Sequence, residues 1–234
     1  MATNEKKEAA ATQEATAQGA ATAQSQNTLV HDTICLFVIT LIAGIFLGAI
    51  YTITKDPIDT QNEKAKQEAY AAVYEGAEFV SDDATNKDLE SFNKDLAAGK
   101  VSSESMGSLS DVEISEILKA QVDGQDAGYV VTCSGKGYGG AVTMALGIDA
   151  EGAILGIQIT DCSDETPGLG QNSTNADWNG QYVGTNMTQD LSVVKDGSGS
   201  ADAGTINSIS GATITSSAVT RAIDGTFQFI ASLK

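Results

Sequence analysis

Apolar positions follow three regimes along this chain of 234 residues. Residues 1–27 are rich in Ala, Thr, Gln and Glu and carry almost no large apolar side chain. They have little to bury in return for ordering, so residues 1–33 are expected to form a disordered tail. Ile34 to Ile53 then runs without a charge and is long enough to cross a bilayer, which predicts a transmembrane helix over 34–54. A cleaved signal peptide is the rival. The apolar run is long for one, no basic cluster abuts it and no A-x-A pattern follows, so an uncleaved anchor is the expectation.

Beyond the span the periods change. Asp56-Pro57 has the form of an N-cap followed by the first helical residue, and Ala65, Ala69, Ala72 and Val73 make one weakly apolar helical face. Ala77 to Val80 reads as a short strand, and Leu89, Phe92 and Leu96 as one short helix. Val112, Ile114 and Ile117 fit either period. Gly128–Cys133, Ala141–Ile148 and Ile154–Ile159 are β-rich runs, with a Gly-rich loop at 135–140 and the turn Asp149-Ala150-Glu151-Gly152 between them. That is how an antiparallel meander reads. Residues 190–204 are polar and Gly-rich, a loop. Ser216 to Leu233 carries Val219, Ala222, Ile223, Phe227, Ile230 and Leu233 at helical spacing, with Thr215 or Ser216 as the expected N-cap. The predicted class is α+β: a twisted antiparallel sheet with flanking helices, divided into a connector at 55–110 and the main domain at 111–234.

Composition narrows the function. There are 31 acidic against 13 basic residues, and a net charge of −18 repels nucleic acid. His31 is the only histidine and lies at the membrane edge, which leaves no Ser/His/Asp triad for the domain. Cys133 and Cys162 are too few for a closed zinc or iron–sulfur site, so no metal is expected; as a pair they permit a disulfide or two free thiols. Cys35 reads as a small apolar residue of the span.

Two stretches carry candidate chemistry. Asn207 to Thr215 places Ser210 and Thr213 around the Gly211-Ala212 pair, where another molecule can approach the backbone closely. The helix start behind it aims unpaired N–H groups and the positive dipole end at this loop, which suits a phosphate. Glu165-Thr166-Pro167-Gly168-Leu169-Gly170 fits a type II turn centred on Pro167-Gly168. On composition alone both are ordinary turns.

Ser210-Gly211-Ala212-Thr213, followed by Ile214-Thr215-Ser216, resembles the flavinylation motif of the G subunit of the Rnf complex, an ion-translocating ferredoxin:NAD oxidoreductase. The C subunit of the sodium-translocating NADH:quinone reductase is similar. The family usually has Asp where this chain has Asn207. The Gly137-Tyr138-Gly139-Gly140 turn and the hexapeptide Glu165–Gly170 resemble two further hallmarks, and the His often found two places before the Glu is Ser163 here. The resemblance implies FMN bound covalently by a phosphoester to Thr213, with Ser210, Gly211 and Ala212 around it. It also implies a flavin-side loop of Glu165, Thr166, Gly168, Leu169 and Gly170, in which Thr166 and Leu169 touch the flavin. Trp178 has two readings, against the flavin ring or in the core, and the core is the expectation.

The role implied is an electron-carrier subunit of the redox-driven translocase. Its partners would be the other membrane and peripheral Rnf subunits, with a flavin transferase for maturation. The N-terminus is expected in the cytoplasm and the FMN domain on the extracytoplasmic side of the cell membrane. Two alternatives are a stand-alone anchored flavoprotein of extracellular electron transfer and a non-redox interaction ectodomain.

Overall fold

The computed structural model describes residues 31–234, with the side chains of Asp56 and Asp59 left out. The disordered tail expected from the sequence falls on residues 1–33, almost wholly outside the described residues. The chain forms two compact units, Met1–Asn62 and Glu63–Lys234.

The described part of the helix α1 (Ala2–Val73) begins at His31. From His31 onward α1 has a segment long and apolar enough to cross a membrane, with Phe37, Leu41, Phe46 and Ile50 exposed. The new helix expected at Asp56-Pro57 does not occur, because Pro57 lies inside α1. A proline takes helical φ but forfeits its own N–H bond and crowds the carbonyl four residues before it, a cost that the turns on either side offset here.

In the second unit a five-stranded antiparallel sheet has the order β1-β4-β5-β6-β7. Its strands are β1 (Glu78–Val80), β4 (Val112–Val122), β5 (Gln125–Lys136), β6 (Ala141–Asp149) and β7 (Ile154–Asp161). Between β1 and β4 lie α2 (Asp83–Ala97) and the small hairpin of β2 (Ser102–Ser103) with β3 (Gly107–Ser108). After β7 come α3 (Ala176–Asn179), β8 (Ser192–Val194), β9 (Thr205–Asn207) and α4 (Thr213–Ser232). The class is therefore α+β, as expected, and the meander occupies the predicted runs.

Strand β4 resolves the ambiguous spacing. Ile114 and Ile117 sit three apart yet are both buried in one core, because the register with β5 shifts between Ile114 and Glu116. A bulge at Ser115 re-phases the alternation.

One face of the sheet packs on α2 and α4 around Ile114, Met144, Leu146, Phe229 and Ile230; the other holds Ala69, Tyr70 and Val73 from the end of α1 and Tyr74 just after it. Helix α4 is buried on nearly every side rather than amphipathic. It tolerates this because Thr220 and Thr226 direct their hydroxyls to the carbonyls of Ser216 and Ala222, at 2.9 and 2.8 Å, so no polar atom of theirs is orphaned. The expected loop over 190–204 contains β8, whose Val193 pairs in parallel with Ile206 of β9 and delivers the chain to the start of α4.

Candidate functional site

Three separate loops converge at one end of α4. The turn Thr166-Pro167-Gly168-Leu169 closes with Leu169 N–H donating to the Thr166 carbonyl at 3.1 Å, and Gly168 has φ +75, which a type II turn demands. The β5–β6 hairpin loop presents Tyr138, 74% exposed between glycines. Helix α4 begins at Thr213, earlier than its Ser/Thr content predicts, with Ala212 as an N-cap that makes no side-chain hydrogen bond.

The hydroxyls expected to cap are engaged elsewhere. Thr215 Oγ1 donates to Glu165 Oε2 at 2.6 Å, while Ser216 Oγ donates to the Ala212 carbonyl at 3.0 Å and accepts from Ile209 N–H at 2.9 Å. The first turn of α4 thus keeps backbone N–H groups facing outward with no side-chain acceptor, and Thr213 stands half-buried among them.

Glu165 joins the loops. It is buried, and its Oε1 accepts from Gly139 N–H at 2.9 Å and from Gly140 N–H at 3.5 Å. Burial pushes its carboxyl upward, but the Thr215 hydroxyl and the hairpin N–H groups outweigh this and hold it below the usual range. Gly170 passes so close that an added Cβ would lie 1.9 Å from Glu165 Oε2. The carboxylate therefore fixes the walls, and its acceptor atoms are already used.

These walls enclose a cavity of about 450 Å³ lined by Tyr138, Glu165, Thr166, Leu169, Gly170 and residues 211–215. That is within the ~300–1,000 Å³ of small-molecule sites. Of the residues predicted for the site, Glu165, Thr166, Leu169, Gly170, Gly211, Ala212 and Thr213 are brought together here. Ser210 is exposed and Gly168 supplies the turn; neither lines the cavity. Tyr138, Ile214 and Thr215 were missed. An aromatic side chain held out between glycines was the available sign for Tyr138.

The neighbours of the site are structural. Trp178 is in the core, as expected, and its Nε1 donates to the Asn207 carbonyl at 2.7 Å. Asn207 Oδ1 accepts from Gly199 N–H at 2.9 Å, so this side chain orders the approach to the site. Cys133 and Cys162 are both free and buried.

The residues fit a phosphorylated, planar cofactor. The uncapped helix start answers a phosphate, and Tyr138, Leu169 and Ile214, all exposed, offer apolar faces for a ring system.

Residues 137–227 match the FMN-binding domain family, a stretch that contains every loop of this cavity. The chain is 34% identical over 200 residues to the G subunit of the Na(+)-translocating ferredoxin:NAD(+) oxidoreductase complex of Acetobacterium woodii, covering 85% of this chain and 89% of that one. It is 30% identical over 200 residues to the G subunit of the proton-translocating ferredoxin:NAD(+) oxidoreductase complex of Clostridium ljungdahlii, covering 86% and 90%. The chain belongs to this family of G subunits. Among solved structures it is similar to the C subunit of the Na(+)-translocating NADH-quinone reductase of Parabacteroides distasonis, with a TM-score of 0.41 and 22% identity over 63% of this chain and 94% of that one.

Proposed function

We propose that this chain is an electron-carrier subunit of an ion-translocating ferredoxin:NAD oxidoreductase, with FMN joined through its phosphate to Thr213 Oγ1. Membership of the G-subunit family and the FMN-binding domain support the carrier role. The observation that favours covalent attachment is the position of Thr213, the first residue of α4, beside uncapped N–H groups and on the cavity wall.

Bound FMN supplies reversible uptake and release of electrons. The protein's part is placement. The first turn of α4 neutralises phosphate charge, and Glu165 keeps the hairpin loop, the Thr166–Leu169 turn and the helix start in one arrangement. Leu169, Tyr138 and Ile214 offer the ring system apolar contact at one end of the site. Covalent attachment suits a domain outside the cytoplasm, where a dissociated flavin is lost to the medium.

The apolar segment of α1 anchors the protein in the membrane, and we place its N-terminus in the cytoplasm and the FMN domain outside. Its partners are the other subunits of the complex and, for maturation, a flavin transferase. Intact-mass analysis of the protein from its native host, with fragmentation of the peptide holding Thr213, tests the attachment. One FMN on Thr213 is the expected result; an unmodified Thr213 in a host that makes the transferase overturns it.

A further inference from the structure

A second cavity, of about 240 Å³, opens beside the middle of α4. Its walls include Ser103 and Glu104 of the β2–β3 hairpin, Met187 and Asp190 of the segment before β8, and Asp224 and Phe227 of α4, with no Lys, Arg or His in the lining. Asp224 is 4% exposed. Its Oδ1 accepts from Leu191 N–H at 3.3 Å, but its Oδ2 has no hydrogen-bond partner. A buried carboxylate oxygen is strongly unfavourable unless a donor reaches it.

The neighbouring donors are spent elsewhere. Asp190 takes the Ser103 hydroxyl at 2.8 Å, the Ser105 hydroxyl and the N–H groups of Glu104 and Ser105, so it is satisfied and keeps its charge. Gln189 gives its amide to the carbonyls of Ala201 and Asp202, both at 2.9 Å, and Gln228 turns its amide to the Ser102 carbonyl at 3.1 Å. The cavity therefore presents one bare acceptor, the charges of Asp190 and Glu104 near it, and the apolar sides of Met187 and Phe227. It is smaller than the ~300–1,000 Å³ of small-molecule sites. Among the described residues no three His, Cys, Asp or Glu side chains could hold a metal. The chemistry that fits is an N–H donor with positive charge on an apolar stem.

We propose that an arginine side chain of another subunit of the complex enters this cavity and donates to Asp224 Oδ2, its stem lying against Met187 and Phe227. A guanidinium is planar and more weakly hydrated than an ammonium, which suits it to a buried ion pair at an interface, and stems of this kind bury well on apolar walls. The donor comes from outside this chain. Arg221 is its only arginine and is already paired with Asp111, through Nε at 3.2 Å and Nη2 at 2.7 Å. A net charge of −18 steers basic partner surfaces toward the domain. The inference rests on membership of the complex and not on the flavin.

Arginine-specific modification of the purified complex with phenylglyoxal, read by peptide mass analysis, tests this. One arginine of a partner subunit should be protected in the wild-type complex and react at least ~10-fold faster in the Asp224→Asn complex, as expected when one member of a buried charge pair is removed. The isolated Asp224→Asn chain should keep or raise the wild-type urea midpoint at neutral pH, whereas a purely structural role for the carboxylate lowers it. No arginine that gains reactivity overturns the proposal, and so does a partner lysine that does so instead. Should the variant fail to fold, the wild-type full-length chain in detergent decides. Ethylguanidinium chloride, up to about 0.1 M, should shift the methyl resonance of Met187 saturably, and no saturable shift overturns the proposal. An infrared band of protonated Asp224 that persists in the assembled complex also overturns it; the missing partner is then a proton. A chain that assembles with no other subunit fails the complex reading instead, and the ethylguanidinium titration still decides whether the cavity takes a guanidinium.

Discussion

Thr215 donates its hydroxyl to Glu165 across 50 positions of sequence, at 2.6 Å, and both side chains are buried. This bond couples the start of α4 to the turn that forms the opposite wall of the cavity. Glu165→Ala strands both the Thr215 hydroxyl and the Gly139 N–H, with an expected loss of about 2–4 kcal/mol. Glu165→Gln retains one acceptor and costs less. Urea denaturation reads the stability, and the flavin content of purified protein should drop with it. An unchanged midpoint in Glu165→Ala would show that the carboxylate does not hold the walls together.

Thr213→Ala should leave the fold intact, within about 1 kcal/mol, because the side chain is half-buried at a helix end. Flavin in the denatured protein should disappear. Thr213→Ser keeps the hydroxyl and should retain part of the label on mass analysis.

Two carboxyls give opposite pH slopes. Burial, reinforced by the charge of Asp190 and opposed by Ser103 and the Leu191 N–H, raises Asp224 from 3.8 to about 7. Between those values the native chain holds a proton that the unfolded chain has released, so stability falls as pH rises through the window and levels off above it. The slope is at most about 1.4 kcal/mol per pH unit. Glu165 is held below its ordinary value, so its contribution is present above about pH 4.5 and is lost on acidification through its lower native value. Denaturation midpoints should therefore decline from about pH 5 to about pH 7 in the wild type and flatten in Asp224→Asn.

Gly147→Ala tests the seat of the α1 end on the sheet. An added Cβ would lie 2.1 Å from the Val73 carbonyl oxygen, which backbone alone must relieve. A loss of about 2 kcal/mol or more is expected, read by thermal unfolding. A neutral result would place Val73 elsewhere.

Cys133 is buried among core side chains, and burial pushes its thiol up to about 12, so almost no thiolate exists at neutral pH. The native protein should resist thiol alkylation at this site, whereas the denatured, unreduced protein should alkylate at both Cys133 and Cys162. A mass showing them oxidised would contradict two free thiols.

Where residues adjacent in sequence determine the outcome, the chain could be read directly. The uncharged run at Ile34–Ile53, the alternation of β5 to β7, the turn at Pro167-Gly168 and the apolar spacing of α4 each express a local period or a local φ preference. Ser210–Thr213 and Glu165–Gly170 were equally visible, but as resemblances; their residues alone describe two turns.

Sequence by itself thus determined the α+β class, the apolar anchor segment and the two stretches that line the site, because period and turn chemistry act within a few residues. Tertiary structure decided what the polar groups do. Glu165 bonds to loops on both sides of it, Thr215 leaves the cap to serve that carboxylate, Ser115 bulges so that Ile114 and Ile117 share a core, and Asp224 is buried without a full set of partners. Each of these depends on which distant donor or apolar surface arrives opposite the residue, and only the folded chain specifies that.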